Sequence, residues 1–188
     1  MVRRILILAS AVGMAGPAFA QVVDTATQRI DLSGHAASAC VISQPAVSNQ
    51  QNASYSPNGP AGGQITISQL VDSQSATSLP SSIQLNLPVV CNSSHQVVIR
   101  STNGALVRAG AQSANAGRGF SQSLTYQLGV DWNGETVDLA SGQQSAAIGA
   151  ANPAKGDLTI RFATAGGGGP LVAGQYTDAI TVELVPAN

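Results

Sequence analysis

Charge is scarce in this chain: Asp, Glu, Lys and Arg together make up 9% of 188 residues. Aromatic residues are at 4%, and there are only two histidines and two cysteines. A chain so poor in cations offers no basic stripe to a phosphate backbone or an anionic membrane, so nucleic-acid and peripheral-membrane partners are not expected. Several catalytic signatures are also missing. There is no Gly-x-Ser-x-Gly elbow and no phosphate-binding loop, since the Gly166–Gly169 run lacks the Lys and Ser/Thr that would hold phosphate. Cys40 and Cys91 stand far apart, without a Cys-x-x-Cys or His-x-His neighbour, which makes a poor metal site. No catalytic residue, metal or cofactor is expected.

The one long apolar run lies at the start. Arg3 and Arg4 precede Ile5–Met14, and Ala18-Phe19-Ala20 forms a small-x-small cleavage site before Gln21. The run is shorter than the roughly 20 residues that span a bilayer. Residues 1–20 therefore read as a secretory signal peptide, and the mature chain is expected not to insert in a membrane. Removing Arg3 and Arg4 leaves six basic against nine acidic side chains, a formal charge of −3. In an exported chain, a single pair of cysteines most simply forms one disulfide, Cys40–Cys91.

What the chain does have is a period of two. Leu124, Tyr126, Leu128, Val130 and Trp132 alternate with polar or small residues, as do Ile83, Leu85, Leu87 and Val89. Leu158, Ile160 and Phe162 repeat the pattern, and so do Tyr176, Ile180, Val182 and Leu184, with Asp178 the one polar residue on that face. Shorter versions occur at Val97/Ile99, Ile65/Ile67 and Ile30/Leu32. These are strands with one buried face. Asn133-Gly134 predicts a two-residue hairpin, and Asn103-Gly104 is read as a similar turn. Pro88 implies an edge position or a bulge. Residues 43–63 and 109–119 read as long loops. Some seven short strands separated by turns predict an all-β antiparallel sandwich.

Other candidates have bland readings that fit better. His95 reads as a solvated side chain at a strand edge. Asp131 and Glu135 read as exposed acids at a hairpin tip, not as a glycan-cleaving pair. Trp132 and Tyr126 lie on an apolar face and are expected in the core, not on a sugar-stacking platform.

Three stretches resemble the spore coat protein U domain, a family that includes subunits of archaic chaperone–usher pili. They are Arg29–Leu32 leading into Ala36–Ile42, Leu87–Asn92 followed by Val97–Ile99 and Ser101–Gly104, and Ala173–Asp178 running into Ile180–Leu184. The last carries Gly174-x-Tyr176-x-Asp178 and the strand positions Ile180, Val182 and Leu184. The resemblance implies an immunoglobulin-like sandwich over 33–188 that lacks its last strand. It implies a fimbrial subunit, exported to the periplasm and then placed on the cell surface, supporting adhesion or biofilm formation. The implied partners are a periplasmic chaperone, an outer-membrane usher, and copies of itself or sister pilins, linked by donor-strand exchange. Residues 21–32 are the candidate donor, with Val22, Ala26, Ile30 and Leu32 at even positions and Asp24 and Gln28 interrupting them. Ile30 and Leu32 could instead begin the domain's own first strand. The end at Asn188, soon after the Tyr176–Val185 run, is as expected where no further strand follows. The alternatives are a coat protein of the same family or a secreted carbohydrate-binding module.

Overall fold

The computed structural model describes residues 26–60, 62–113 and 115–187. The expected signal peptide and Val22 lie outside them. The chain divides into a unit up to His35 and a unit from Ala36 onward. The described part of the first contains no strand, and it exposes Ile30 (76%) and Leu32 (95%). Ile30 and Leu32 thus do not open the domain's first strand, which starts at Cys40.

The second unit is built from strands, with no helix among the described residues. In chain order they are β1 (Cys40–Ile42), β2 (Ala46–Gln51), β3 (Ala53–Pro57), β4 (Gly63–Ile67), β5 (Ser81–Cys91), β6 (His95–Ser101), β7 (Leu106–Arg108) and β8 (Asn115–Gly117). Then follow β9 (Phe120–Ser121), β10 (Ser123–Leu124), β11 (Tyr126–Trp132), β12 (Glu135–Leu139), β13 (Ser145–Ala150), β14 (Ala154–Thr164), β15 (Tyr176–Thr177) and β16 (Ile180–Pro186). The larger sheet runs β1-β5-β14-β11-β12, with β2 also paired to β5; the opposing sheet runs β13-β6-β16. All pairings between strands are antiparallel. This is an immunoglobulin-like sandwich.

The alternation places the core. Ile83, Leu85, Val89, Leu128, Val130, Trp132, Leu158, Ile160 and Phe162 project inward from the larger sheet and are buried; Val97, Ile99 and Ile148 meet them from the other. Trp132 and Tyr126, at 2% and 3% exposure, are core residues. Asn133-Gly134 makes the expected hairpin: Trp132 faces Glu135, and both turn residues have positive φ (52° and 84°), as a type I′ turn requires. Asn103-Gly104 does not. The strand after it, β7, pairs with β10 and β15 instead of returning along β6, so the turn is a corner between sheets.

Three expectations change. Pro88 sits in β5, a central strand, opposite Asp157 of β14. Its missing N–H is tolerated because the neighbour on its other side is interrupted there: β1 ends at Ile42 opposite Val89, and β2 resumes at Ala46 opposite Asn86. Across this gap Ser43 N–H donates to the Pro88 carbonyl, at 2.9 Å. Residues 43–63 are not a loop but contain β2, β3 and the start of β4. The side chains of β2 are all exposed, so it carries no apolar period to read. The Tyr176–Val185 run splits at Asp178: β15 pairs with β7, and β16 with β6.

Candidate functional site: an open groove beside the last strand

Strand β16 is the clearest anomaly in the sandwich. Its inward residues Ile180, Val182 and Leu184 register against Ser101, Ile99 and Val97 of β6. Val97 and Ile99 are fully buried, yet Ile180, Val182 and Leu184 remain only half-buried. Nothing pairs with the other edge of β16 among the described residues. Alongside it opens a cleft of about 790 Å³. Leu85, Leu87, Leu128, Ile160 and Phe162 form its floor, and Ile180 and Val182 its first wall. The Ile42–Pro45 break between β1 and β2 and the β3–β4 hairpin also line it. A sheet edge with no partner strand beside an apolar cleft is the arrangement that accepts an added strand.

One end of the larger sheet is stapled. Cys40 and Cys91 face each other across β1 and β5, with Cα atoms 4.2 Å apart, and are joined in a disulfide. Beside it lies His95, which is not solvated as expected but 3% exposed. Trp132 Nε1–H donates to His95 Nε2 (2.9 Å), so the ring proton sits on Nδ1 and meets the Ser93 carbonyl at 2.9 Å. His95 shares parity with Val97 and Ile99, the signal that would have placed it inside. Ligand atoms of Cys40, Cys91 and His95 lie within 4.8 Å of one another, but both sulfurs are bonded to each other and both ring nitrogens are engaged. The group does not fit a metal.

At the start of β16, among the residues that line the cleft, lies a polar clasp centred on Asp178. Its Oδ2 accepts from the Tyr126 and Ser101 hydroxyls, each at 2.6 Å; its Oδ1 accepts from Asn103 N–H (2.9 Å) and Ala179 N–H (2.8 Å). The Tyr126 hydroxyl also lies 2.8 Å from Ser101 Oγ, which accepts from Gly104 N–H at 2.7 Å. The clasp joins β11, the end of β6 and the start of β16. The other motif residues have local duties. Gly174 has φ +151°, and a Cβ there would meet Arg108 Nε at 2.8 Å. The Tyr176 hydroxyl reaches the carbonyls of Val172 (2.8 Å) and Ser121 (3.1 Å).

Burial, and then the hydrogen bond to Asp178, push the Tyr126 hydroxyl up to about 12. An unfolded chain would ionise this phenol near 10, whereas the fold holds it protonated until about 12. Unfolding between those values therefore releases a proton, and stability falls as pH rises from 10 toward 12. In Tyr126→Phe this alkaline fall is expected to be clearly shallower in pH-dependent urea melts. Tyr176, raised by its own burial, acts in the same direction and is left in place by that replacement. Equal alkaline slopes in the two proteins would show that Tyr126 is not held in this way.

On the outer face, Asp131 is bonded to Arg161 and to Thr136 Oγ1 (2.6 Å). It is not a free acid beside Glu135. The indole of Trp132 is inside, so it presents no platform to a sugar.

The spore coat protein U domain model matches residues 26–183. The chain belongs to that family. No curated protein sequence matches it. Among solved structures it is similar to a chaperone–tip adhesin complex described as vital for synergistic activation of CFA/I fimbriae biogenesis. The identity is 14%, the match covers 78% of this chain and 42% of that one, and the TM-score is 0.37. A likeness so distant bears on neither partners nor assembly.

Proposed function

We propose that this spore coat U domain protein is a structural subunit of a surface pilus, assembled by the chaperone–usher route through donor-strand exchange. The observation that carries the reading is the groove: an apolar floor and the half-buried inward face of β16, beside an edge that pairs with nothing described. A strand laid there gains main-chain hydrogen bonds from β16 and places alternate side chains on Leu87, Leu128 and Phe162. A periplasmic chaperone supplies that strand first, and residues 21–32 of the next subunit replace it at an outer-membrane usher. Ala26, Ile30 and Leu32 are exposed, which suits residues kept for a partner; Val22 completes the series of even positions. Giving one strand and receiving one makes a heterologous contact that grows into a filament. The filament would serve adhesion or biofilm formation, and the subunit would have no catalytic role.

The test uses periplasmic protein on denaturing gels, unheated and heated. The intact chain is expected to give a heat-sensitive ladder. Deleting residues 21–32 removes the ladder while leaving a folded monomer, and Val182→Arg, on the groove wall, removes it from the acceptor side. A single band in every sample, with one cooperative unfolding transition, would overturn the reading. It would favour a coat protein, the role that the family's description carries.

A further inference from the structure

The part of the groove lined by the β3–β4 hairpin is built unlike the rest. Strands β3 and β4 pair only with each other and form a separate two-stranded sheet. The base of this hairpin is pinned at Asn52, which has φ +50°. Its side-chain amide donates to the carbonyls of Gln69 (2.8 Å) and Pro80 (3.2 Å), and its Oδ1 accepts from Gln69 N–H (2.9 Å). The Asn52 carbonyl takes Ser68 N–H at 3.1 Å. Both strands are thus anchored at one end. At the other end, Gln44 Nε2, on the break between β1 and β2, donates to the Gly59 carbonyl at 3.0 Å. Between base and tip the hairpin adds the half-buried side chains of Tyr55, Ile65 and Ile67 to the edge of the core. A Cβ at Gly63 would overlap the Tyr55 ring, so the glycine lets that ring lie flat across the hairpin.

We infer that the β3–β4 hairpin is a movable wall, hinged at Asn52 and latched by the Gln44–Gly59 hydrogen bond, which swings as a unit to control entry to the groove. The physical ground is the contrast in attachment. Strands β5 and β14 hold each other through eleven-residue ladders. The hairpin has no ladder to either main sheet, and opening it costs the small buried side chain of Ala53 beside the hinge, three half-buried side chains and one exposed hydrogen bond. Segments with few buried contacts and solvent-exposed bonds open below the global unfolding energy. The role as a gate rests on the strand-accepting reading of the groove; the opening itself does not.

Hydrogen exchange on the full-length secreted protein separates the two. Amides of residues 53–56 and of Gly63–Ile67 are expected to exchange as one block, well before those of β5 and β14. Gln44→Ala should speed that block roughly fivefold, the effect of one hydrogen bond, and leave β5 and β14 unchanged. It should also raise the rate at which a synthetic peptide of residues 21–32 is captured, by a similar factor. Exchange of the hairpin in step with β5, or no response to Gln44→Ala, would overturn the inference. If the hairpin exchanges as a block and neither protein captures peptide, the movable wall stands and strand exchange through this segment fails. Capture at equal rates by both proteins would overturn the gating.

Discussion

Cys91→Ser is expected to cost roughly 4 kcal/mol of stability, because the released loop regains its chain entropy on unfolding. The bridge spans a sequence separation of 51, enclosing β2, the β3–β4 hairpin and most of β5. A loss of that size is a large part of the stability of a domain this long. Its structural effect should be local first. Strand β1 has three residues, paired to β5 on one side only, and Cys40 and Cys91 are its first cross-strand pair. Without the bridge, β1 and the Ser43–Pro45 break come loose, and the groove loses the side from which Gln44 holds the hairpin. Periplasmic yield and the thermal midpoint should both fall sharply. Cys40→Ser and the double replacement should match the single variant, since each removes the same bond. Unchanged midpoints in all three would mean that the bridge does not constrain the chain. A double variant much more stable than either single would assign the loss to a stranded thiol instead.

The strands that build the two sheets were legible because their two faces differ. On β5, β11, β14 and β16 every second residue is apolar, and the structure turns that parity inward. The same rule placed Trp132 and Tyr126 in the core. It failed where a strand has no buried face. All six residues of β2 are exposed, and β3 offers Ser54, Ser56 and Pro57, so strand-forming chain looked like a loop. Pro88 was misread for a related reason: the gap that accommodates it lies in the partner strand, 45 residues away in sequence, where nothing local announces it. His95 carried the inward parity of Val97 and Ile99, but its polarity outweighed that signal; the indole N–H that satisfies it comes from β11. The groove was legible only through the family resemblance. An uncovered face has the same residues as a covered one, and only the half-burial of Ile180, Val182 and Leu184 distinguishes them.

Asp178→Ala should cost about 3–5 kcal/mol, a loss on the scale of the disulfide's. One carboxylate accepts from two hydroxyls and two backbone N–H groups. Hydrogen bonds to a charged group contribute about 1.5–3 kcal/mol each, though not additively, and the Tyr126 and Ser101 hydroxyls sit where water has little access. Asp178→Asn should cost less, because its amide oxygen can keep the two backbone donors while the hydroxyls turn to the amide nitrogen. The loss should also carry a signature that general destabilisation lacks. Burial raises Tyr126 first, and Asp178 adds to it; with Asp178 gone the phenol ionises at lower pH in the folded protein. The gap between folded and unfolded ionisation narrows, so the fall in stability between pH 10 and 12 should flatten in Asp178→Ala, as in Tyr126→Phe. Combining the two replacements should then cost less than their sum, since both remove the same bond. Full additivity, or an alkaline slope like that of the intact protein, would mean that the clasp is not what holds the start of β16. If it does hold, the polar residue that breaks the apolar alternation of the final strand has a physical purpose. It fixes the entry to β16 against β6 and β11, so that Ile180 and Val182 stay aligned along the groove although no described strand pairs with that edge.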